Sequence, residues 1–332
     1  MDRSSTQQPA TRATGRTVGA VFQNMAVQDW ITTAFHSYML LRVLAAPDSA
    51  DASFARKIAF VLLTATICTI VLVRGELIPK GRLRSLVYRL GLFTPVVVSY
   101  FEMRTLLPAL QPVLLDSQLL SIDNAIFVLT PAVWLQRINS VPYVEWFSFF
   151  YYSYFYILTV ILVPSLFLDR GRRLQELMIG AMAVACIGHV GYTLVPGLGP
   201  YATLAFDEPV NGGFWWGAVR YAVDGAGAMM DIFPSLHTAY PTFFALFAFG
   251  NRDRAPYKYA WPVLAFFAAN IIVATMLLRW HYGIDVIFGL MLAITARRMS
   301  VWVAEREQDR GRQDDRQPVW EPLFPFQRAK RR

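Results

Sequence analysis

Residues 231–250 read DIFPSLHTAYPTFFALFAFG. The second half of this stretch, from Thr242, contains almost no polar atoms and has the character of a membrane segment. It is entered through Asp231, Ser235 and His237. If the run lies in lipid, the fold is restricted at once, because only helices and closed barrels satisfy every backbone donor and acceptor there. Ser235 follows Pro234 and suits a helix N-cap, since its hydroxyl can accept from an amide of the first turn. His237 then reads either as an interfacial polar residue or as half of a site.

Composition supports the membrane reading. Of 332 residues, 55% are hydrophobic and 16% charged, against about 25% charged in a soluble domain. The net charge of +8 sits in short clusters between apolar runs and in the C-terminal tail, which argues for membrane topology and against nucleic acid. Cys68 and Cys186 lie inside apolar runs and read as small hydrophobes. Residues 1–25 are polar, show no signal peptide, and read as a disordered tail.

A spanning helix needs about 20 mostly apolar residues. Runs of that kind occupy 57–74, 86–107, 143–168, 174–196 and 258–278, with shorter ones at 235–250 and 282–298. Segment 28–45 is a weaker candidate. Segment 117–136 contains Asp123, Asn124 and Pro131 and reads as interfacial or re-entrant. The expected fold is therefore all-α, a polytopic membrane bundle of about seven or eight transmembrane helices. With the N-terminus inside, segments 1–27, 74–89, 169–173, 251–258 and 297–332 carry 24 of the 31 Lys and Arg residues. Positive charge marks the cytoplasmic side, so 108–142 and 197–234 are expected outside.

That topology brings two distant motifs to one membrane face. From His237 the chain crosses inward, turns at 251–258, and re-emerges at Arg279–Asp285, "RWHYGID". Both motifs start short spans, which would recess them slightly below the outer interface. His281 and Asp285 are four residues apart and share a helix face. A carboxylate bonded to one imidazole nitrogen fixes the tautomer and leaves the other as a nucleophile, base or metal ligand. Alone, this spacing also describes a buried pair that merely satisfies itself. The combination is more informative: His237, His281 and Asp285 on one face, with Arg220 and Arg279 nearby for phosphate oxygens, form a phosphoryl-transfer set. His36 and His189 lie inside spans and read as packing residues. The run 148–156, SFFYYSYFY, reads as an aromatic belt, and Glu102, Arg104 and Glu145 could pair with one another or line the site.

The segments FPSLHTAYP and HYGIDVIFG resemble the second and third motifs of the type 2 phosphatidic acid phosphatase (PAP2) superfamily. More narrowly they resemble its branch of inositol phosphorylceramide synthases, which has PSLH rather than PSGH and a final HYxxD. The resemblance extends to DNAIFVLTPAVWLQ (123–136) and GYTLVPGLGP (191–200), and covers roughly residues 100–296. It divides the chain into a disordered cytoplasmic tail (1–27), N-terminal transmembrane helices (28–107), a PAP2-like catalytic domain (108–298) and a basic cytoplasmic tail (299–332).

The resemblance implies that His281 attacks phosphorus to form a phosphohistidine, that Asp285 orients it, and that His237 protonates the leaving group and then activates the acceptor. Ser235 and amides at the start of its helix would help to hold phosphate. No metal or cofactor is implied. The partners would be a phospholipid or lipid phosphate, with a lipid or water as acceptor. Two departures stand out. The phosphatase motif K-x6-R-P is absent, and the Ser-Arg pair expected before the third motif is replaced by Ala274 and Thr275. The phosphotransferase branch shares both departures, which favours transfer of a phosphoryl or phospho-head-group over hydrolysis by a lipid phosphate phosphatase.

Overall fold

A computed structural model of the chain describes residues 18–226, 229–313 and 319–324. The described residues form thirteen α-helices and a short 3-10 turn at Gln136–Ile138. In order the helices are α1 (Val18–Asn24), α2 (Val27–Leu44), α3 (Ala50–Arg74), α4 (Arg82–Ala109), α5 (Asp116–Phe127), α6 (Pro131–Leu135) and α7 (Val141–Leu168). They continue with α8 (Gly171–Leu194), α9 (Pro200–Thr203), α10 (Phe214–Ala226), α11 (Leu236–Gly250), α12 (Tyr257–Leu277) and α13 (Gly283–Gln313). Among these residues the only extended pairing is one bridge between Gly197 and Asp231.

Six helices, α3, α4, α7, α8, α12 and α13, are long and apolar enough to cross a membrane. The protein is thus an integral membrane helical bundle. A seventh span is available if α5 and residues 131–138 count together, bent by 69° at their break. The bent pair is either one broken span or the interfacial or re-entrant piece expected at 117–136. The expected count of eight included α2 and α11, which are not among the helices long and apolar enough to span. At about 1.5 Å per residue, the 15 residues of α11 reach roughly 22 Å, against a ~30 Å hydrocarbon core. The helix nevertheless packs on α8, α12 and α13.

The centre of the bundle is α8, whose spanning window is 78% buried and which meets α2, α4, α11 and α13. Its small residues make this possible, because close backbone approach replaces the hydrophobic drive that lipid removes. A Cβ at Gly180 would run into the Phe243 ring of α11. At the C-terminal end of α3, the helices α2, α3 and α4 are tied by a buried ion pair. Arg74 Nε lies 2.7 Å from Asp29 Oδ2, and Asp29 Oδ1 accepts from the Tyr88 hydroxyl at 2.7 Å.

The terminal segments differ from expectation where they are described. Val18–Asn24 is helical within the segment expected to be disordered, while 1–17 lie outside the described residues. The helix begun at Gly283 does not stop at 298 but runs to Gln313, because the charged stretch after it is rich in good helix formers. It is therefore not a short span, and only α11 supports the recessed geometry. Residues 319–324 fold back onto α4. Trp320 packs edge-on against Tyr88, with centroids 5.1 Å apart, and Arg89 donates to the Glu321 carbonyl at 2.7 Å. The remaining tail, 314–318 and 325–332, lies outside the described residues.

Candidate active site

The two histidine motifs are brought together by the antiparallel pair α11 and α12, the most extensively packed pair in the fold. Ser235 caps α11, its Oγ accepting from the Thr238 amide at 3.3 Å, and its own amide donates to the Asp285 carbonyl at 3.0 Å. That bond joins α11 to α13 beside the site. The same contact requires Gly289, where a Cβ would lie 2.5 Å from the Ser235 carbonyl oxygen. His237, one residue into α11, has its ring centroid 6.2 Å from that of His281.

At the end of α12 the chain reverses tightly. Arg279 takes a left-handed conformation, φ 70°, and the amides of Trp280 and His281 both return to the Thr275 carbonyl. This is a helix-ending turn that usually places glycine at the left-handed position; an L side chain there costs roughly 1–2 kcal/mol. The turn delivers His281 to the start of α13. His281 Nδ1 stands 3.4 Å from Asp285 Oδ2, off the line of a hydrogen bond, and Asp285 is fully buried. Asp285 Oδ2 accepts from the Tyr282 amide at 2.9 Å, which holds the carboxylate against the histidine loop.

The bent segment of α5 and α6 explains why that loop stays in place. Asp123, fully buried, accepts from the Gly283 amide at 2.8 Å and the Ile284 amide at 2.7 Å. It also accepts from the Thr130 hydroxyl at 2.6 Å. The first amides of α13 are thereby satisfied by a carboxylate 160 residues away in sequence. Asp116 works similarly, accepting from the Leu198 and Gly199 amides and from the Tyr282 hydroxyl at 3.2 Å.

His237 and His281 line one cavity of about 50 Å³, together with Tyr100, Tyr151, Asp231 and Trp280. His237 is sandwiched by aromatic rings, Tyr151 stacked at 4.3 Å and Tyr154 at 4.1 Å between centroids. The run 148–156 is therefore more than an interfacial belt: its inward residues at i and i+3 grip an imidazole. Tyr100 comes from α4, so the N-terminal helices contribute to the wall. Asp231 was not singled out by motif or spacing. Desolvation pushes its carboxyl above the ordinary carboxylate range, opposed by its own main chain and by His281.

Other expected residues lie elsewhere. Ser235 is fully buried as a cap and is not in the cavity wall. Arg220 and Arg279 line a neighbouring cavity, separated from the histidines by the Trp280 indole, which stacks on Tyr201 at 4.8 Å. Glu102, Arg104 and Glu145 do not pair. Arg104 donates to the Gly225 carbonyl at 3.2 Å, Glu102 lines a small internal cavity with His36 and Ser99, and Glu145 accepts from the Gly213, Trp215 and Trp216 amides at the start of α10. His36 and His189 are buried in packing positions, each within hydrogen-bond reach of a hydroxyl, Thr66 and Ser99 respectively. Among the described residues no three His, Cys, Asp or Glu side chains converge as metal ligands.

The sequence finds no significant match among curated proteins or among solved structures. A family profile described as PAP2 superfamily matches residues 117–298, a stretch that begins in α5, ends within α13 and takes in both histidine motifs. By that match over more than half its length, the chain belongs to the PAP2 superfamily, whose members are phosphatases and phosphotransferases.

Proposed function

We propose that the protein is a lipid phosphotransferase that moves a phosphoryl or phospho-head-group between lipids through a phosphohistidine at the outer membrane face. One observation carries this reading: two histidines 44 residues apart in sequence share a buried cavity with ring centroids 6.2 Å apart, and one of them abuts a buried aspartate. Reacting atoms approach to about 3–3.5 Å before bond formation, so a phosphorus between the imidazoles suits that separation.

In the proposed reaction a His281 ring nitrogen, Nε2, attacks phosphorus and the bond from phosphorus to the leaving oxygen breaks. His237 supplies the proton that the leaving oxygen needs. In the second half, His237 takes the proton of the acceptor hydroxyl, whose oxygen attacks phosphorus as the N–P bond breaks. Asp285 keeps the proton on Nδ1 of His281 and offsets its developing charge. The 3.4 Å separation is loose, and such contacts tighten in a Michaelis complex. The PSLH and HYxxD sequences support the inositol phosphorylceramide synthase-like branch, hence an inositol phosphate as the group transferred. The excess of Lys and Arg in the opposite loops supports an outward-facing site.

The test is incubation of the purified protein with a labelled phospholipid, with and without ceramide or diacylglycerol. A new phospholipid that appears only with acceptor is expected. Free phosphate from a monoester, or a free phosphorylated head group from a diester, as the sole product would instead assign the same residues to a hydrolase of the lipid phosphate phosphatase kind. His237→Ala and His281→Ala are both expected to abolish turnover while the proteins stay folded. Retained activity in both would sink the mechanism.

A further inference from the structure

Arg220 and Arg279 share a cavity that neither histidine lines. It measures about 390 Å³ and is walled by Tyr201, Phe206, Glu208 and Trp216 besides the two arginines. The Trp280 indole, which faces the histidine cavity, closes it on one side through contacts with Tyr201 and Trp216.

Arg279 is only 5% exposed and holds the left-handed backbone position where glycine would be unstrained. Phe206 covers one face of its guanidinium, with the ring centroid 3.8 Å away. Among the described residues, no carboxylate lies within 4 Å of that guanidinium and no acceptor is bonded to it, although Asp207 is near enough to offset part of its desolvation. A guanidinium has five N–H donors and no acceptor, and Arg279 contributes its donors to the wall of this cavity with no protein acceptor among the described residues bonded to them. Arg220 is also incompletely used. It donates to the Tyr201 hydroxyl, lies 3.9 Å from Asp224, and its Nε is buried without a partner. Planar donors of this kind match phosphate and carboxylate best, while Glu208 offers an acceptor for a hydroxyl and the rings offer flat apolar surface.

We propose that this cavity is a second anion site, holding a phosphate or carboxylate carried on the polyhydroxylated head group of the lipid whose phosphorus lies at His281. The assignment rests on the proposed function for the position of that phosphorus. Arg279 and His281 are two residues apart, at most about 7 Å between Cα atoms, so a single head group can reach both sites around the Trp280 wall.

Binding without turnover tests this. Full-length His281→Ala protein in phosphatidylcholine nanodiscs would be titrated with dioctanoyl phosphatidylinositol and with dioctanoyl phosphatidylinositol 4-phosphate, which carries the additional anion. The second lipid should bind at least about tenfold more tightly, in line with one charge-assisted contact to a guanidinium. Adding Arg279→Gln should remove that preference and leave the affinity for phosphatidylinositol within about threefold. An equal loss for both lipids would place Arg279 at the scissile phosphate or in the fold, and overturn the proposal. So would the absence of any preference in the parent. If inorganic phosphate occupies the Arg279-dependent site while the lipid's second phosphate adds no affinity, the cavity takes a free anion and the head-group assignment falls. Should Arg279→Gln not yield folded protein, Arg220→Gln on the opposite wall carries the same expectation. Because no chemistry is required, a negative result in the transfer assay leaves this measurement interpretable.

Discussion

Asp123→Asn is the substitution that most directly probes how the His281 loop is held. Asp123 Oδ2 accepts from Thr130 Oγ1 and the Gly283 amide, and Oδ1 accepts from the Ile284 amide. A carboxamide can keep its oxygen on only one side of this arrangement. If the oxygen stays at the Oδ2 position, two bonds survive as neutral ones and the Ile284 amide faces an NH2 group. The unsatisfied donor costs about 1–3 kcal/mol, and each surviving bond loses about 1 kcal/mol on becoming neutral. Part of this is returned because a buried charge no longer has to be desolvated. A net loss of about 2–4 kcal/mol follows. Asp123→Ala should lose more, since all three buried donors are orphaned.

Equilibrium unfolding in detergent measures the stability change, and the rate of label transfer from phospholipid measures the site. The loss of stability should come with a fall in activity that persists at low temperature, where the variant is fully folded, because Gly283 and Ile284 anchor the loop next to His281. Ser117→Ala on the exposed side of the same helix serves as a control and should stay within about 0.5 kcal/mol of the parent. If Asp123→Asn also stays within that range, α5 does not anchor the start of α13.

Two further outcomes test other parts of the structure. Asp231 has a carboxyl raised by desolvation, so the folded state binds its proton more tightly than the unfolded state does. Stability should fall as pH rises from the ordinary carboxylate value of about 3.9 through the elevated one, and level off above it. Unfolding measured across this range should show that slope in the parent and lose it in Asp231→Asn; an unchanged slope would refute the assignment. For orientation, a single cysteine placed within 202–215, in a background lacking Cys68 and Cys186, should react with an impermeant reagent added outside intact cells, and one within 251–256 should not. The reverse labelling would invert the proposed topology.

The histidines were legible because two short motifs on separate apolar runs mark them, and counting crossings between the runs puts them on one face. Asp123 was legible as a polar outlier in an apolar segment but not as the partner of α13, since nothing local to residues 117–136 points to residue 283. Tyr151 and Tyr154 were hidden for a different reason. In a run where nearly every residue is aromatic, the inward-facing pair at i and i+3 carries no distinguishing mark until a neighbouring helix is in place. Arg220 and Arg279 were recognisable as basic residues beside the site. Their separation from the histidines depends on where the Trp280 ring stacks, which is a tertiary fact. At the C-terminus the run VWEPLFPF (319–326) stands out from its charged surroundings, and that apolar interruption was a signal that part of the tail would dock.

The treatment of three helix starts bears on where the transferred phosphate would sit. α10 begins against the Glu145 carboxylate and α13 against the Asp123 carboxylate, so the positive end of each dipole already faces an anion. α11 begins under the neutral Ser235 hydroxyl, and its second residue is His237. A negative group is favoured at a helix N-terminus in proportion to how little that end is already compensated. On the proposed reading, a phosphoryl group between the histidines therefore meets the uncompensated end of α11 and avoids the two ends held by carboxylates. With the guanidinium groups across the Trp280 wall, its charge would be met by the imidazoles and the α11 start. Replacing Ser235 by Asp would place a third carboxylate at this end. It can still cap α11, but a carboxylate at this fully buried position costs stability, so phosphoenzyme formation is compared at a temperature where the variant is folded. Phosphoenzyme formation should nevertheless fall by about tenfold or more, because the new anion competes for the same dipole and repels the substrate within a few ångströms. A Ser235→Asp protein that is folded and forms the phosphohistidine at the parent rate would show that the α11 start takes no part in holding phosphate.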